Sequence, residues 1–333
     1  MLTRRDMLIG TGLAGIAAAL ARPRSSVLAS AAQPKTPVNF EVPAGACDCH
    51  SHIFGDPQKY PFAMPRSYTP EIASVDEMRS LHRALHTQRV VVVQTSVYGT
   101  DGRCTMDAVK QQAPNARAVV GIAENITNEQ LDELQRGGLS GIRVDMDSAA
   151  GIVVNDFNGS KRLPFDPEVS RQRVKAAIER IKGRPLHLEI STHLPVIEAI
   201  KEVVMNSPVP ISLNHFGGAQ AALGVKQPGF DTLLALVHSG TYVKVGGPYR
   251  ISKQAPDYPD VTPLAKALIA ANPERVLWGS DWPHPAASDR PVTEVTPFWQ
   301  IDDGRDFNQF ATWTDASQKK LILVDNPARL YGF

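Results

Sequence analysis

The sequence predicts a single (β/α)8 TIM barrel of the α/β class, and three observations carry that expectation. Eight short runs rich in Val, Ile and Leu alternate with amphipathic helical stretches from Ala46 to the end of the chain. No early strand is followed by a Gly-x-Gly-x-x-Gly turn, which counts against a doubly wound dinucleotide fold. Ionisable residues gather at the C-terminal ends of the runs, the face on which barrel chemistry sits. With 333 residues, 43% of them apolar, the chain is long enough to bury such a core.

The first element stands outside the barrel. "TRRDMLIGTGLAGIAAALA" pairs Arg4 and Arg5 ahead of a Gly/Ala-rich apolar run, and Ala29-Ser30-Ala31 forms a small-residue cleavage pattern. This resembles a twin-arginine export signal. The apolar run is shorter than the roughly 20 residues that span a bilayer, so no stable membrane span is expected. Residues 1–31 are thus read as a signal cleaved near Ala31, residues 32–44 as a linker and 45–333 as the barrel. The expected partner is the twin-arginine export machinery and the expected destination the periplasm. Cleavage leaves 31 basic and 33 acidic side chains, a near-neutral balance without a Lys/Arg run, so no nucleic-acid partner is expected.

The strands follow in order as "ACDCHSH", "RVVVVQT", "ARAVVGIA", "LSGIRVD", "PLHLEIS", "VPISLNH", "TYVKVGG" and "ERVLWGSD". Each is a short apolar run closed by Gly, Pro or polar residues, the pattern of a strand buried on both faces. Between them lie helical patterns such as "SVDEMRSLHRALH", where Ser74 and Glu77 have the spacing of a capping box. "PEVSRQRVKAAIERIKG", "LPVIEAIKEVV", "FDTLLALVHSG" and "VTPLAKALIAAN" keep the same period. The long connections 53–73 and 146–166 follow strand C-termini and are expected over the active face as lids. Cys47, Cys49 and Cys104 are read as small packing residues, because neighbours two apart in a strand cannot bridge.

The polar strand ends define a candidate site. His50 and His52 close the first strand, Arg143 lies in the fourth, His187 and Glu189 in the fifth, and His215 ends the sixth. Arg250 follows the seventh strand, Asp281 ends the eighth, and His284 lies just beyond it. His-x-His on a strand puts both imidazoles on one side, a geometry that suits a metal. One Zn2+ would be held by His50, His52 and Asp281 with His187 or His215. A two-metal centre is disfavoured, because the permanent cation of Arg143 takes the place where a bridging anion would sit. Arg143 and Arg250 instead read as forks for a substrate carboxylate, with Tyr68 and Ser96 adding hydroxyl contacts. The plainer alternative pairs Arg143 internally with Asp145 or Asp147.

"DCHSHIFG", "YPFAMPRSYTP", "VVQTSVYG", "GIRVD", "LNHFGG", "KVGGPYRIS", "VLWGSDWPHP" and "DNPARLYGF" together resemble the amidohydrolase superfamily. The likeness is to the branch that contains 2-pyrone-4,6-dicarboxylate lactonase and sugar-acid lactone enzymes, and it runs from about Ala44 to Phe333. The resemblance implies hydrolysis of a carboxylated lactone without a cofactor, with one zinc ion as the alternative. It makes Asp281 the general base for water and has His50, His52 and His215 polarise the carbonyl. Tyr68, Ser96, Arg143, Arg250 and His284 fall to the substrate. A second arginine of the branch is replaced here by "DMDSAAG", and an aromatic hydroxyl near the fifth strand end by Ser191 or Thr192. The expectation is therefore a lactone or similar ester with at least one carboxylate. Lactone isomerisation or decarboxylation is the alternative within the same barrel, and a periplasmic organic-acid binding protein the alternative of another class.

Overall fold

The computed structural model describes residues 31–146, 153–155, 162–285 and 290–333. The export-signal reading concerns residues 1–30 and lies outside the described residues, as do Asp147 and most of the second long connection. The barrel strands are β1 (Cys47–Ser51), β2 (Arg89–Val93), β3 (Ala116–Val120), β4 (Leu139–Asp145), β5 (His187–Ser191), β6 (Ile211–Leu213), β7 (Tyr242–Lys244) and β8 (Val276–Leu277). They form one eight-stranded sheet in sequence order, every neighbouring pair parallel. Between β8 and β1 the backbone of the strand ends completes the ring: Cys49 N–H donates to Trp278 O at 2.9 Å and Asp281 N–H to His50 O at 2.7 Å. The chain is a (β/α)8 barrel.

The helices are α1 (Val75–Ala84), α2 (Arg103–Lys110), α3 (Asn128–Arg136), α4 (Pro167–Ile181), α5 (Leu194–Met205), α6 (Phe230–His238), α7 (Thr262–Ala271) and α8 (Asp303–Ala311), followed by two short ones, α9 (Ala316–Lys320) and α10 (Asn326–Tyr331). Ser74 caps α1 in the box with Glu77 that its spacing predicts. Thr127 and Gln130 repeat the device at α3, and Asp166 with Pro167 starts α4. Leu81 of α1, Val174 of α4, Ile197 of α5, Leu233 of α6 and Leu268 of α7 are fully buried against the sheet. Each such burial stabilises by roughly 1.5–3 kcal/mol, which anchors the helices around the ring. No helix among the described residues is long and apolar enough to cross a membrane.

One buried carboxylate fastens the mouth. Asp48 in β1 accepts from Ser280 N–H at 3.0 Å, Ser280 Oγ–H at 2.6 Å, Ser51 Oγ–H at 2.7 Å and His50 N–H at 3.1 Å, and lies 3.2 Å from His82 Nε2. Burial acts to raise its pKa, but the bonds from His82, Ser280 and Ser51 outweigh that and lower it. The segment after β8 is thereby tied to β1, so Asp281 and His50 share a common support. Gly279 allows this approach, because a Cβ there would stand 2.6 Å from that of His50.

The first long connection is pinned rather than free: Phe54 bridges Ala73, and Thr69–Pro70 pairs with Val295–Thr296. Part of the second forms an antiparallel pair, Val153–Asn155 with Arg162–Pro164. The residues read as a linker lie along the barrel. Ala32 O accepts from Trp282 Nε1–H at 2.8 Å, and Phe40 packs edge-on to Phe307. All three cysteines are buried and unbridged.

Candidate active site

Asp281 is the hub. Its buried carboxylate places Oδ1 at 3.0 Å from His52 Nε2, 3.6 Å from His50 Nε2 and 3.7 Å from His215 Nε2. Oδ2 accepts from Tyr249 O–H and Arg250 Nε–H. Burial would raise the carboxyl pKa, but Arg250, His215 and His52 overcome it and hold Asp281 well below the ordinary range. His215 is lowered to about 4, first by burial and then by Arg250, against the pull of Asp281. The backbone is strained at this place. Asp281, His215 and His284 have φ of 63°, 44° and 67°, and each such residue costs on the order of 1–3 kcal/mol.

The outer nitrogens of the histidines assign their protons. His52 Nδ1 is 2.7 Å from Val93 O and His215 Nδ1 is 3.1 Å from Gly246 O. A carbonyl only accepts, so both Nδ1 atoms donate; the ionised Asp281 Oδ1 also only accepts, so His52 Nε2 donates to it at 3.0 Å, while in a neutral His215 ring Nε2 is a lone pair. His50 differs. Its Nδ1 is 3.1 Å from Lys244 Nζ, and its Nε2 is buried without a hydrogen-bond partner among the described residues. Lys244 also donates to Glu189 Oε2, while Glu189 Oε1 accepts from Asn214 Nδ2 at 2.9 Å and lies 3.4 Å from Arg143 Nη1. Burial acts to raise Glu189, yet Lys244 and Arg143 bring it down to about 2.

Several expected residues sit at this mouth in qualified ways. Arg143 spends one fork on Glu189 and lies 3.7 Å from Asp145, so the internal pairing with Asp145 is present; the Asp147 alternative lies outside the described residues. Arg250 engages Asp281 and keeps a 30% exposed side chain. Tyr68 is nearly buried within electrostatic reach of Arg250, Asp281 and Arg143, and burial raises its phenol. Ser96 is exposed on the turn that follows β2.

Two residues lie elsewhere. His187 starts β5, two residues below Glu189 on the same face and hence one layer deeper. Its Nδ1 donates to Ser140 O at 2.8 Å, its ring packs on Tyr331, and Gly141 leaves the room it fills. It is not a fourth ligand. His284 is fully buried, paired with Asp303 at 3.1 Å and edge-on to Tyr249, so it supports the wall rather than faces a substrate. Sequence reasoning passed over Lys244, Asn214 and Tyr249 and gave Glu189 no role. A lysine inside the apolar run "TYVKVGG" was the one available signal.

His50, His52 and Asp281 bring one ligand atom each within 4.8 Å of one another, the spacing of a metal site. The bonding fits this only in part. His52 and His215 turn Nε2 toward Asp281, but Lys244 has three donors and no acceptor, so Nδ1 of His50 accepts and its hydrogen sits on Nε2. A metal held through His50 does not fit that arrangement.

The amidohydrolase family model matches residues 47–333. The chain is 34% identical over 298 residues to 4-sulfomuconolactone hydrolase of Hydrogenophaga intermedia, covering 89% of this chain and 91% of that one. It is 33% identical over 313 residues to 2-pyrone-4,6-dicarboxylate hydrolase of Comamonas testosteroni, covering 90% and 94%. An Agrobacterium tumefaciens protein solved without ligand superposes with a TM-score of 0.72 at 24% identity, over 90% of this chain and 98% of that chain.

Proposed function

Because this chain belongs to the amidohydrolase family, we propose that it hydrolyses a carboxylated lactone by water attack, with Asp281 as general base. The observation that carries the reading is the convergence of three imidazoles and two cationic or hydroxyl donors on one buried carboxylate. Water adds to the lactone carbonyl as Asp281 takes its proton. The ring oxygen then leaves with that proton, which opens the ring to a hydroxy acid or its keto form. The Nε2–H of His50 stabilises the developing oxyanion, and fixed donors aimed at such charge are usually what lowers the barrier most.

A carboxylate as acidic as Asp281 is a poor base while Arg250 grips it, since a base works best with a pKa near the working pH. A substrate carboxylate that draws Arg250 away would raise the basicity of Asp281 as it binds. The requirement for a substrate carboxylate and the activation of the base are then one event. A single zinc on His52, His215 and Asp281 is the second reading, favoured by the bonds from Nδ1 of both histidines to backbone carbonyls, which orient Nε2 toward Asp281 as in ligand histidines. Export by the twin-arginine route to the periplasm belongs to the proposal.

The test is a panel of lactones with no, one or two carboxylates, followed by acid release and product identification. One acid equivalent per turnover from a carboxylated lactone supports hydrolysis. Isomerised or decarboxylated product, or tight binding of an organic acid with no turnover of any lactone, contradicts it.

A further inference from the structure

The Lys244–Glu189 pair is an expensive arrangement for stability alone. Both side chains are essentially buried in the barrel, with relative exposures of 1% and 0%. Buried ion pairs are commonly replaced by packed apolar residues with no loss of stability, so a structural role does not by itself explain this one. Its direction is informative. Glu189 takes Lys244 on Oε2 and Asn214 on Oε1, which leaves the remaining ammonium hydrogens pointing at His50 Nδ1, 3.1 Å away.

We propose that Lys244 is a positioning residue: held by Glu189, it donates to Nδ1 of His50, fixes the Nε2–H tautomer, and makes His50 an oxyanion donor that cannot ligate a metal. His52 and His215 differ in that their Nδ1 atoms donate, to Val93 O and Gly246 O. The mouth thus carries one imidazole whose Nδ1 accepts and whose Nε2–H is free to donate, and two whose Nδ1 hydrogens are spent on the backbone. The orphaned Nε2 of His50, buried and aimed at the space beside Asp281 Oδ1, is the hydrogen left for the substrate oxygen. The kinetic part of this inference rests on the hydrolytic reading; the tautomer and the metal exclusion do not.

The experiment compares the wild-type protein with Lys244→Met and with the double variant Lys244→Met/Glu189→Leu, which removes both buried charges together and so preserves packing. Imidazole 15N NMR, with His50 assigned by its loss in His50→Gln, reads the tautomer, and titration with Zn2+ alone reads the metal site. The wild type is expected to show an unprotonated Nδ1 on His50. In the double variant that preference is lost and zinc affinity rises about tenfold or more, the scale on which partners of a ligand histidine act. With a lactone in hand, kcat falls about 100-fold, the size of one lost oxyanion donor. KM changes by less than about threefold, as a loss confined to the transition state requires.

A wild-type His50 protonated at Nδ1 overturns the assignment, as does a double variant that keeps the wild-type tautomer and zinc affinity. If no lactone is turned over, the hydrolytic reading fails while the NMR and zinc results still decide the role of Lys244. If neither variant folds, the wild-type spectrum alone decides it.

Discussion

As the proposed general base, Asp281 meets two opposed demands. It must be ionised to hold water, and Arg250, Tyr249 and the imidazoles secure that; it must also be basic enough to take a proton, and the same neighbours work against that. Arg250 is the neighbour a substrate carboxylate can recruit, since its side chain is partly exposed while that of Asp281 is not. Replacing Arg250 with Met is expected to lower kcat/KM for a carboxylated lactone by about tenfold or more, as loss of a charge-assisted contact does. The same lactone with that carboxylate esterified should lose little. Equal losses for both would break the link between carboxylate binding and base activation.

The residues that sequence reasoning found are those whose position follows from a local rule. His50, His52, His215 and Asp281 each end or follow a β-branched run, and a barrel brings strand ends to one mouth. Lys244 and Glu189 were harder because a buried charge acquires its meaning from its partner, and theirs is two strands away across the barrel. His187 misled for a related reason: period two sets its face but not its depth. His284 follows a backbone turned into the left-handed region, which no residue type there announces.

Among the elements, strands and caps were legible because each depends on residues within a few positions. The Val90–Val93 run and the Ser74/Glu77 box needed no tertiary information. The seam between β1 and β8 was not legible, since Asp48 gathers donors from Ser280, more than two hundred residues on, and from His82 of α1. That seam has a pH signature. The Asp48 pKa is lowered in the folded chain relative to an unfolded value of about 3.9. Its stabilisation is therefore present above about pH 4 and is lost as pH falls through the folded value. Asp48→Asn should cost about 2 kcal/mol near neutral pH and show a shallower acid limb of stability in urea unfolding. Parallel acid limbs for variant and wild type would show that Asp48 does not hold the seam.

Taken over its full length, the chain joins a barrel and a near-neutral surface to a basic amino-terminal stretch, which fits the proposal of a small-molecule enzyme made for export. Residues just past the expected cleavage point already belong to the fold, with Ala31 buried and Ala32 bound to Trp282 beside Asp281. Cleavage after Ala31 would leave that last contact in place. Changing Arg4 and Arg5 together to Lys is expected to keep the uncut precursor in the cytoplasmic fraction. The unaltered chain should appear in the periplasmic fraction with Ala32 as its first residue. Export of the doubly changed chain at the normal level would refute the twin-arginine route.

Activation of water by Asp281 underlies every step proposed for this site, and kcat of Asp281→Asn probes it without intermediaries. The substrate is whichever carboxylated lactone the wild type opens, and circular dichroism verifies the fold. General-base catalysis of this kind is worth about 100-fold to 10,000-fold, so the variant should lose at least about 100-fold in kcat while remaining folded. Turnover within a few-fold of wild type would contradict the assignment of Asp281 as the base.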